Sequence, residues 1–278
     1  MRLSPRITQR IATATLWAMT GLTVATLLFI IGFVLRRGLP EVTGEFLTAS
    51  PHDMGRQGGI LPMIVGTLYV TAVAVAVATP LGLGTAIFLT EYTREGWLTR
   101  VVRFGAECLA GVPSIIFGLF GFVFFVIYLQ MGWSVLAGGL TVAFMILPTV
   151  IRTAEEAIKA VPAQYREVAY TLGASKWQAI VKVVLPSALP GILTGIILGI
   201  GRSLSETAAV IFTAGSSLKM PVSLFDPART MSVHFYLLAR EGISMPKAYA
   251  TAAVLVLAIL VINVTAYGLM NRFMKRFT

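Results

Sequence analysis

Charge, cysteine and histidine are all scarce in this sequence. Charged residues make up 12% of its 278 residues, about half the roughly 25% typical of soluble domains, which argues against a soluble domain. The single cysteine, Cys108, excludes a disulfide within the chain, and its apolar neighbours predict a small buried residue. The two histidines, His52 and His234, lie in separate polar segments, so no Cys/His cluster indicates a metal site. A glycine-rich Lys-Ser/Thr loop and a Ser/His/Asp constellation are also missing, which makes an enzyme the least favoured class.

Long apolar runs are abundant instead. Hydrophobic residues make up 56% of the chain, and several runs exceed the roughly 18–20 residues that cross a hydrocarbon core. A soluble all-α protein with a large core would not contain repeated runs of that length. We therefore predict an all-α integral membrane protein with about six transmembrane helices. The predicted spans cover approximately residues 11–35, 60–90, 104–129, 134–151, 188–214 and 248–270.

The polar segments between these spans divide the chain into two regions. Residues 1–57 are predicted to hold an N-terminal tail, the first transmembrane helix and a polar outer loop. Residues 58–278 are predicted to form the main transmembrane domain, with a long polar loop at residues 152–186. Within the second and third spans, Pro80 and Pro113 are either hinges or prolines that packing tolerates.

The distribution of basic residues predicts how the chain is oriented. If the predicted spans alternate in direction, fourteen of the 22 Lys and Arg residues fall on one side, seven fall on the other, and Arg202 lies within a span. Cytoplasmic loops of membrane proteins carry an excess of Lys and Arg, which places both termini and the loop 152–186 in the cytoplasm. The net charge of +10 then faces anionic lipid, and no nucleic-acid partner is expected.

The loop 152–186 contains local signals for helix starts and ends. The pairs Thr153/Glu156 and Ser175/Gln178 both have the spacing of a capping box. Pro162 predicts a break near the preceding residue, and Gly173 predicts a helix end in the left-handed conformation. These signals predict two short helices that meet at a glycine turn and form a solvent-facing hairpin. The alternative is an ordinary connector, which rarely needs such length or order.

One stretch of this loop resembles a known signature. It reads Glu167-Val168-Ala169, then Gly173, then Val183-Val184-Leu185-Pro186. This is similar to the EAA signature of ABC-importer permeases, which is Glu-Ala-Ala, three residues, Gly, nine residues, then Ile-x-Leu-Pro. The spacing fits throughout, and Val168 and Val183 are departures that keep apolar character.

The resemblance implies a type I ABC-importer permease fold. In that family the loop forms a coupling helix, which docks into a groove on a separate ATP-hydrolysing subunit. The matching positions imply ATPase-coupling roles for Glu167, Ala169, Gly173, Leu185 and Pro186. No cofactor is expected on this chain itself, because ATP and Mg would bind to the partner ATPase.

Other stretches resemble permeases of phosphate importers, and the PstA type in particular. They are Leu109–Gly121, Leu189–Gly195, Gly201–Ala208 and Gly58–Leu68. This resemblance, which covers roughly residue 58 to the C-terminus, implies import of inorganic phosphate across a bacterial inner (plasma) membrane. It also implies three protein partners: a second permease of the PstC type, two copies of a PstB-like ATPase, and an extracytoplasmic PstS-like phosphate-binding protein. Membrane lipid surrounds the complex.

Two charged residues stand inside the predicted fifth span. Arg202 and Glu206 are four residues apart, which places them on one face of a helix. A charge near the bilayer centre costs at least about 2.5–3.5 kcal/mol, so both should face the bundle interior or a water-filled path. Because the guanidinium fork of arginine matches phosphate oxygens, we predict that both residues line the substrate pathway. The alternative is a structural Arg–Glu pair, and Glu206 holding Arg202 until phosphate displaces it would combine the two roles.

Two other functions remain open from the sequence. A permease for another oxyanion, such as molybdate or sulfate, differs from a phosphate permease only in its cargo. A self-contained secondary transporter or channel would instead show inverted repeats and discontinuous helices, and would transport without an ATPase. The coupling-loop signature argues against this second alternative.

Overall fold

A computed structural model describes residues 5–274 of the chain. Residues 1–4 and 275–278, which include Arg2, Lys275 and Arg276 of the charge count, lie outside the described residues. The α-helices are α1 Pro5–Gly38, α2 Gly44–Thr48, α3 Leu61–Ile87, α4 Trp97–Gly111, α5 Ser114–Gly121, α6 Val135–Lys159, α7 Ala163–Thr171, α8 Lys176–Ala179, α9 Leu185–Ser205, α10 Ala208–Thr213, α11 Met231–Arg240 and α12 Met245–Met274. There are also three segments of wider π-helix. Phe88–Tyr92 prolongs α3, Phe122–Tyr128 prolongs α5, and Ile180–Val184 joins α8 to α9. Two short strands, β1 Pro51–His52 and β2 Gln57–Gly58, pair antiparallel.

Five helical segments of the described chain are long and apolar enough to cross a membrane. They are Gln9–Glu41, Leu61–Tyr92, Val135–Lys159, Lys176–Ser205 and Met245–Arg272. A bent pair, Trp97–Gly111 and Ser114–Tyr128, whose axes differ in direction by 101°, brings the number to six if it is counted as one span. An all-α membrane protein with about six spans is therefore confirmed.

The third span, which we expected over residues 104–129, is not one continuous helix. Helix α4 already begins at Trp97, between the expected second and third spans, and ends at Gly111. Val112 and Pro113 have extended backbones, with ψ of 129° and 141°. Proline lacks an N–H and disfavours a helical residue before it, which explains why the helix breaks here. Cys108 on α4 is exposed, so the prediction of a buried cysteine is wrong.

Helix α6 lies at the centre of the bundle, packed against α3 and α9. Val142 and Ile146 of α6 join Val70 and Ala74 of α3 in one buried cluster. Close approach depends on small residues, as is common between membrane helices. At Gly195 of α9, an added Cβ would clash with a side chain of α6. The core is therefore made by three helices that are far apart in sequence.

The segment between α10 and α12 covers the end of the bundle where α3 and α6 begin. The Val135 N–H at the start of α6 donates to Asp226 O at 2.9 Å, and the Met231 N–H donates to Thr67 Oγ1 at 2.9 Å. Two buried ionisable side chains, Arg229 and His234, lie in this segment, which we call the outer segment because it covers the end of the bundle away from the loop 152–186. The loop 152–186 follows the opposite end of α6, so the outer segment and the loop occupy opposite ends of the bundle.

Candidate functional site

The loop between α6 and α9 forms a helical hairpin, as its sequence predicted. Helix α6 ends at Lys159, and α7 begins at Ala163 directly after Pro162. The predicted break near Val161 is therefore confirmed. Two further predictions about this hairpin concern its turn and its second limb.

The turn of the hairpin is a Schellman motif centred on Gly173. The Ala174 N–H donates to Ala169 O at 3.0 Å, and the Gly173 N–H donates to Tyr170 O at 3.0 Å. Gly173 has φ of +81°, while an added Cβ would meet no atom within 4 Å. Backbone conformation, rather than lack of space, therefore favours glycine at this position. The predicted glycine helix end is confirmed.

Only one of the two predicted capping boxes exists. The Ser175 side chain accepts from the Gln178 N–H, and the Gln178 side chain accepts from the Ser175 N–H. Thr153 instead lies within α6, where its hydroxyl donates to Thr149 O at 2.8 Å. The prediction of a helix start at Thr153 is wrong, because α6 continues without interruption from the membrane into the loop.

The second limb of the hairpin is longer than the short helix that we expected. Helix α8, the π-helical segment and α9 form one span, Lys176–Ser205. Leu185 and Pro186 lie inside this span. Proline has no N–H to donate within a helix, so Pro186 interrupts the regular backbone hydrogen bonds of an α-helix. The wider π-helical turn lies just before this interruption. Leu185 packs on the buried cluster that includes Ala86 of α3 and Ile158 of α6.

The signature residues occupy different environments in the hairpin. Glu167 is exposed, whereas Ala169 is buried on the inner side of α7. Around them is a set of exposed large hydrophobic side chains, which we call the hairpin face: Tyr165, Val168, Tyr170, Leu172 and Trp177. Leu172 is the most exposed of these, at 82%. Sequence reasoning missed this face, although apolar residues in a polar loop were a visible signal.

Arg202 and Glu206 are not arranged as we expected. Helix α9 ends at Ser205, and Glu206 has an extended backbone with ψ of 130°, so the two residues do not share a helix face. The Glu206 carboxylate accepts from the Ala209 N–H at 3.1 Å and thereby caps α10. Within residues 5–274, the Arg202 guanidinium forms no ion pair, with Glu206 or any other carboxylate. The structural Arg–Glu pair is therefore not observed.

Arg202 lies at the end of α9 that is remote from the hairpin. With a rise of about 1.5 Å per residue, it is about 24 Å along the helix axis from Pro186. Its neighbour Ser203 donates to Thr71 Oγ1 of α3 at 3.2 Å. The two groups of candidate residues thus lie at opposite ends of the same span.

A charged cavity between α4 and α6 was not anticipated from the sequence. It has a volume of about 480 Å³. On its wall the buried Glu155 carboxylate lies 2.7 Å from both the Arg103 guanidinium and the Lys159 ammonium. Acidic and basic side chains line the cavity in equal number, so the cavity offers no excess positive charge to an anion. The Arg103–Glu155 ion pair instead fastens α4 to α6, whereas the Glu155–Lys159 pair lies within α6.

Comparison with known proteins agrees with this architecture. Residues 78–278 match the family model described as "Binding-protein-dependent transport system inner membrane component". A probable ABC transporter permease of Bacillus subtilis, YqgI, is 31% identical over 99% of both chains. The phosphate transport system permease PstA 1 of Mycobacterium tuberculosis is 33% identical, over 96% of this chain and 90% of that one. The PstA permease of Xylella fastidiosa is 31% identical, over 84% and 81%.

Solved structures share the fold at lower identity. A bacterial alginate ABC transporter in complex with its periplasmic protein matches with a TM-score of 0.71 and 17% identity, over 99% of both chains. The MetNI methionine ABC transporter matches with a TM-score of 0.62 and 20% identity, over 75% of this chain and 93% of that one. On the family match and the near full-length relatives together, this chain belongs to the family of binding-protein-dependent transport system inner membrane components, the permease subunits of ABC importers.

Proposed function

We propose that this chain is a PstA-type permease subunit that moves inorganic phosphate into the cell, driven by a separate ATPase. The observation that carries the ATP-driven part is the ordered hairpin, with its capped turn and its exposed apolar face. Relatives that bear the name phosphate transport system permease, at 31–33% identity over most of the chain, support phosphate as the cargo. No chemical step is assigned to this chain, since hydrolysis of ATP with Mg belongs to the partner.

The hairpin is the proposed docking element for the ATPase. Glu167 is exposed and available to a partner's basic groups, and the hairpin face supplies apolar area of the kind that is buried at protein interfaces. Ala169 and Gly173 give the turn its shape, since the Schellman bonds join the backbones around these two residues. Leu185 and Pro186 lie where the second limb enters the bundle. Motion of the docked hairpin is passed to α9 through them.

Arg202 is the proposed cationic station for phosphate. Its guanidinium is half-buried at the end of α9 and, among the described residues, is not neutralised by a carboxylate. Glu206 contributes by holding the break between α9 and α10 through its cap on Ala209. Binding at this station must be weak, because conduction requires that the anion also leaves.

The assembly follows from the same proposal. The partners are a PstC-like permease, two PstB-like ATPases that dock on the cytoplasmic face, and a PstS-like protein that delivers phosphate to the outer segment. The hairpin is then cytoplasmic, which places both termini in the cytoplasm of a bacterial cell.

Uptake by the purified complex tests this function. The chain is co-expressed with the partner permease and the ATPase and reconstituted into vesicles, with the phosphate-binding protein outside. ATP-dependent accumulation of radioactive phosphate is expected, with little competition from molybdate or sulfate. Transport without ATP would indicate a secondary transporter, and strong inhibition by molybdate or sulfate would indicate another oxyanion.

Arg202→Gln tests the pathway residue within the same assay. We expect uptake to fall about tenfold or more, since one charge-assisted contact to an anion is worth about 1.5–3 kcal/mol. Arg100→Gln, which removes the same charge from an exposed position on α4, serves as the matched control. Normal uptake by an intact Arg202→Gln complex would remove Arg202 from the pathway.

A further inference from the structure

The first limb of the hairpin is tied to the end of α3, a helix that is remote in sequence. Nε and Nη2 of Arg166 in α7 both donate to Glu91 Oε1, at 3.0 and 2.7 Å. The same guanidinium donates to Val161 O at 2.8 Å and to Ile158 O at 3.0 Å. The Glu91 side chain is only 7% exposed. A buried carboxylate of this kind depends on its partner, because a lone buried charge is strongly unfavourable.

The second limb contacts the same turn of α3. The Lys176 ammonium, at the start of α8, lies 4.9 Å from the centroid of the Tyr92 ring, a cation–π distance. Glu91 and Tyr92 belong to the π-helical segment that ends α3. Both limbs of the hairpin are therefore fastened to one turn of a third helix, in addition to the helices that precede and follow them in the chain.

Helix α3 leads from this turn to the neighbourhood of Arg202. Thr71 lies twenty residues before Glu91, about 30 Å along the helix. Its hydroxyl accepts from Ser203, the residue next to Arg202, at 3.2 Å. One continuous helix thus has the hairpin at one end and the proposed phosphate station at the other. A packed helix is the kind of element that carries coupling between distant sites.

We propose that Arg166 is a positioning residue that makes the hairpin and the end of α3 move as one body. ATPase motion then reaches the pathway through α3 as well as through α6 and α9. This proposal rests on the proposed function, since it requires an ATPase docked on the hairpin. The role of Arg166 is distinct from docking, because its guanidinium faces inward to Glu91 and to two backbone carbonyls rather than to a partner.

The first test measures coupling in the reconstituted complex. The variants are Arg166→Gln, Glu91→Gln, their combination and Arg166→Lys. In the single and double Gln variants we expect the ATPase to stay bound and to hydrolyse ATP with an unchanged KM. We expect the ATP consumed per phosphate imported to rise about tenfold, within the range usual for allosteric coupling. The double variant should be no worse than either single variant, because the two residues act as one unit. Arg166→Lys should recover part of the coupling.

Arg152→Gln is the matched control, because it breaks an Arg–Glu pair with Glu156 that is largely exposed and lies within α6 itself. Its ratio of ATP to phosphate should stay at the wild-type value. An unchanged ratio in Arg166→Gln would overturn the proposal, and so would loss of the ATPase from that complex, which would make Arg166 a docking residue. If the wild-type complex itself shows no ATP-dependent uptake, the proposed function fails, independently of Arg166.

The second test needs no variant of the ion pair. In a Cys108→Ser background, spin labels are attached at Gln164→Cys on α7 and Gly84→Cys on α3, two exposed positions. Between the nucleotide-free and ATP-trapped complexes, we expect their separation to change by less than about 2 Å, the scale of motion within a packed body. A change of about one helical turn, roughly 5 Å, would show that the hairpin moves independently of α3 and would overturn the proposal.

Discussion

Lowering the pH around the outer segment should make helix α11 open more often, because one buried histidine then gains a proton. His234 of α11 is 1% exposed, and its Nδ1 accepts from Arg229 Nη1 at 3.4 Å. Burial, assisted by the positive charge of Arg229, lowers the pKa of His234 from 6.5 to about 3. Burial also lowers the pKa of Arg229, whereas the nearby Glu241 carboxylate opposes that shift. His234 is therefore neutral when α11 is packed.

The direction of the effect follows from this depressed pKa. When α11 opens, His234 regains its ordinary pKa near 6.5 and binds a proton more readily than in the packed state. Its contribution to stability is fully present above pH 6.5 and is lost progressively as the pH falls toward 3. At pH 5 the loss is about 2 kcal/mol, which corresponds to roughly a thirtyfold larger open population.

Hydrogen exchange of the α11 amides measures this loss locally. After correction for the intrinsic pH dependence of exchange, protection of Met231–Arg240 should fall between pH 7 and pH 5, while protection of α6 stays constant. His234→Gln, which cannot gain a proton, should show little change over the same range. Equal losses in the wild type and in this variant, or no loss in either, would refute the assignment to His234.

Three further substitutions test the hairpin and the core. Gly173→Ala forces a residue with a side chain into φ of +81°, which should destabilise the turn of the hairpin by about 1–2 kcal/mol and weaken ATPase binding in a pull-down assay. The control Gly132→Ala imposes a similar strain, at φ of +65°, outside the hairpin and should leave that binding unchanged. Leu172→Asp should reduce ATPase co-purification about tenfold or more without lowering the melting temperature of the permease, because burying an unpaired charge at an interface is costly. The equally exposed Val222, at 84%, provides the control Val222→Asp in the outer segment. Gly195→Val should destabilise the permease itself by about 1–3 kcal/mol in thermal unfolding, because its Cβ has no room against α6.

The number of spans and the turn of the hairpin could be predicted from the sequence because both depend on local chemistry. An apolar run long enough to cross a bilayer has few alternatives in lipid, where backbone groups must be satisfied within the helix. Gly173 and the Ser175–Gln178 capping box form their hydrogen bonds within a few residues, so the sequence is sufficient to identify them.

The same local reasoning failed where long-range packing competes with it. Thr153 has a cap-like spacing but lies inside α6, six residues before its end, where buried contacts with α3 and α9 keep the helix continuous. Glu206 has helical spacing from Arg202, yet the chain breaks there, and the Glu206 carbonyl accepts from Ser232 of α11 at 2.6 Å. In both places a partner far away in sequence decided the local conformation.

The sequence by itself determined that this chain crosses a membrane about six times and presents a capped helical hairpin with an ABC-permease signature. Only the tertiary structure decided that Arg202 is free of Glu206, that the third span is bent, and that Arg166 of the hairpin is bonded to Glu91 of α3. The physical reason is the range of the interactions. Hydropathy and capping act within one helix or turn, whereas the ion pairs and glycine contacts join helices whose residues are tens of positions apart.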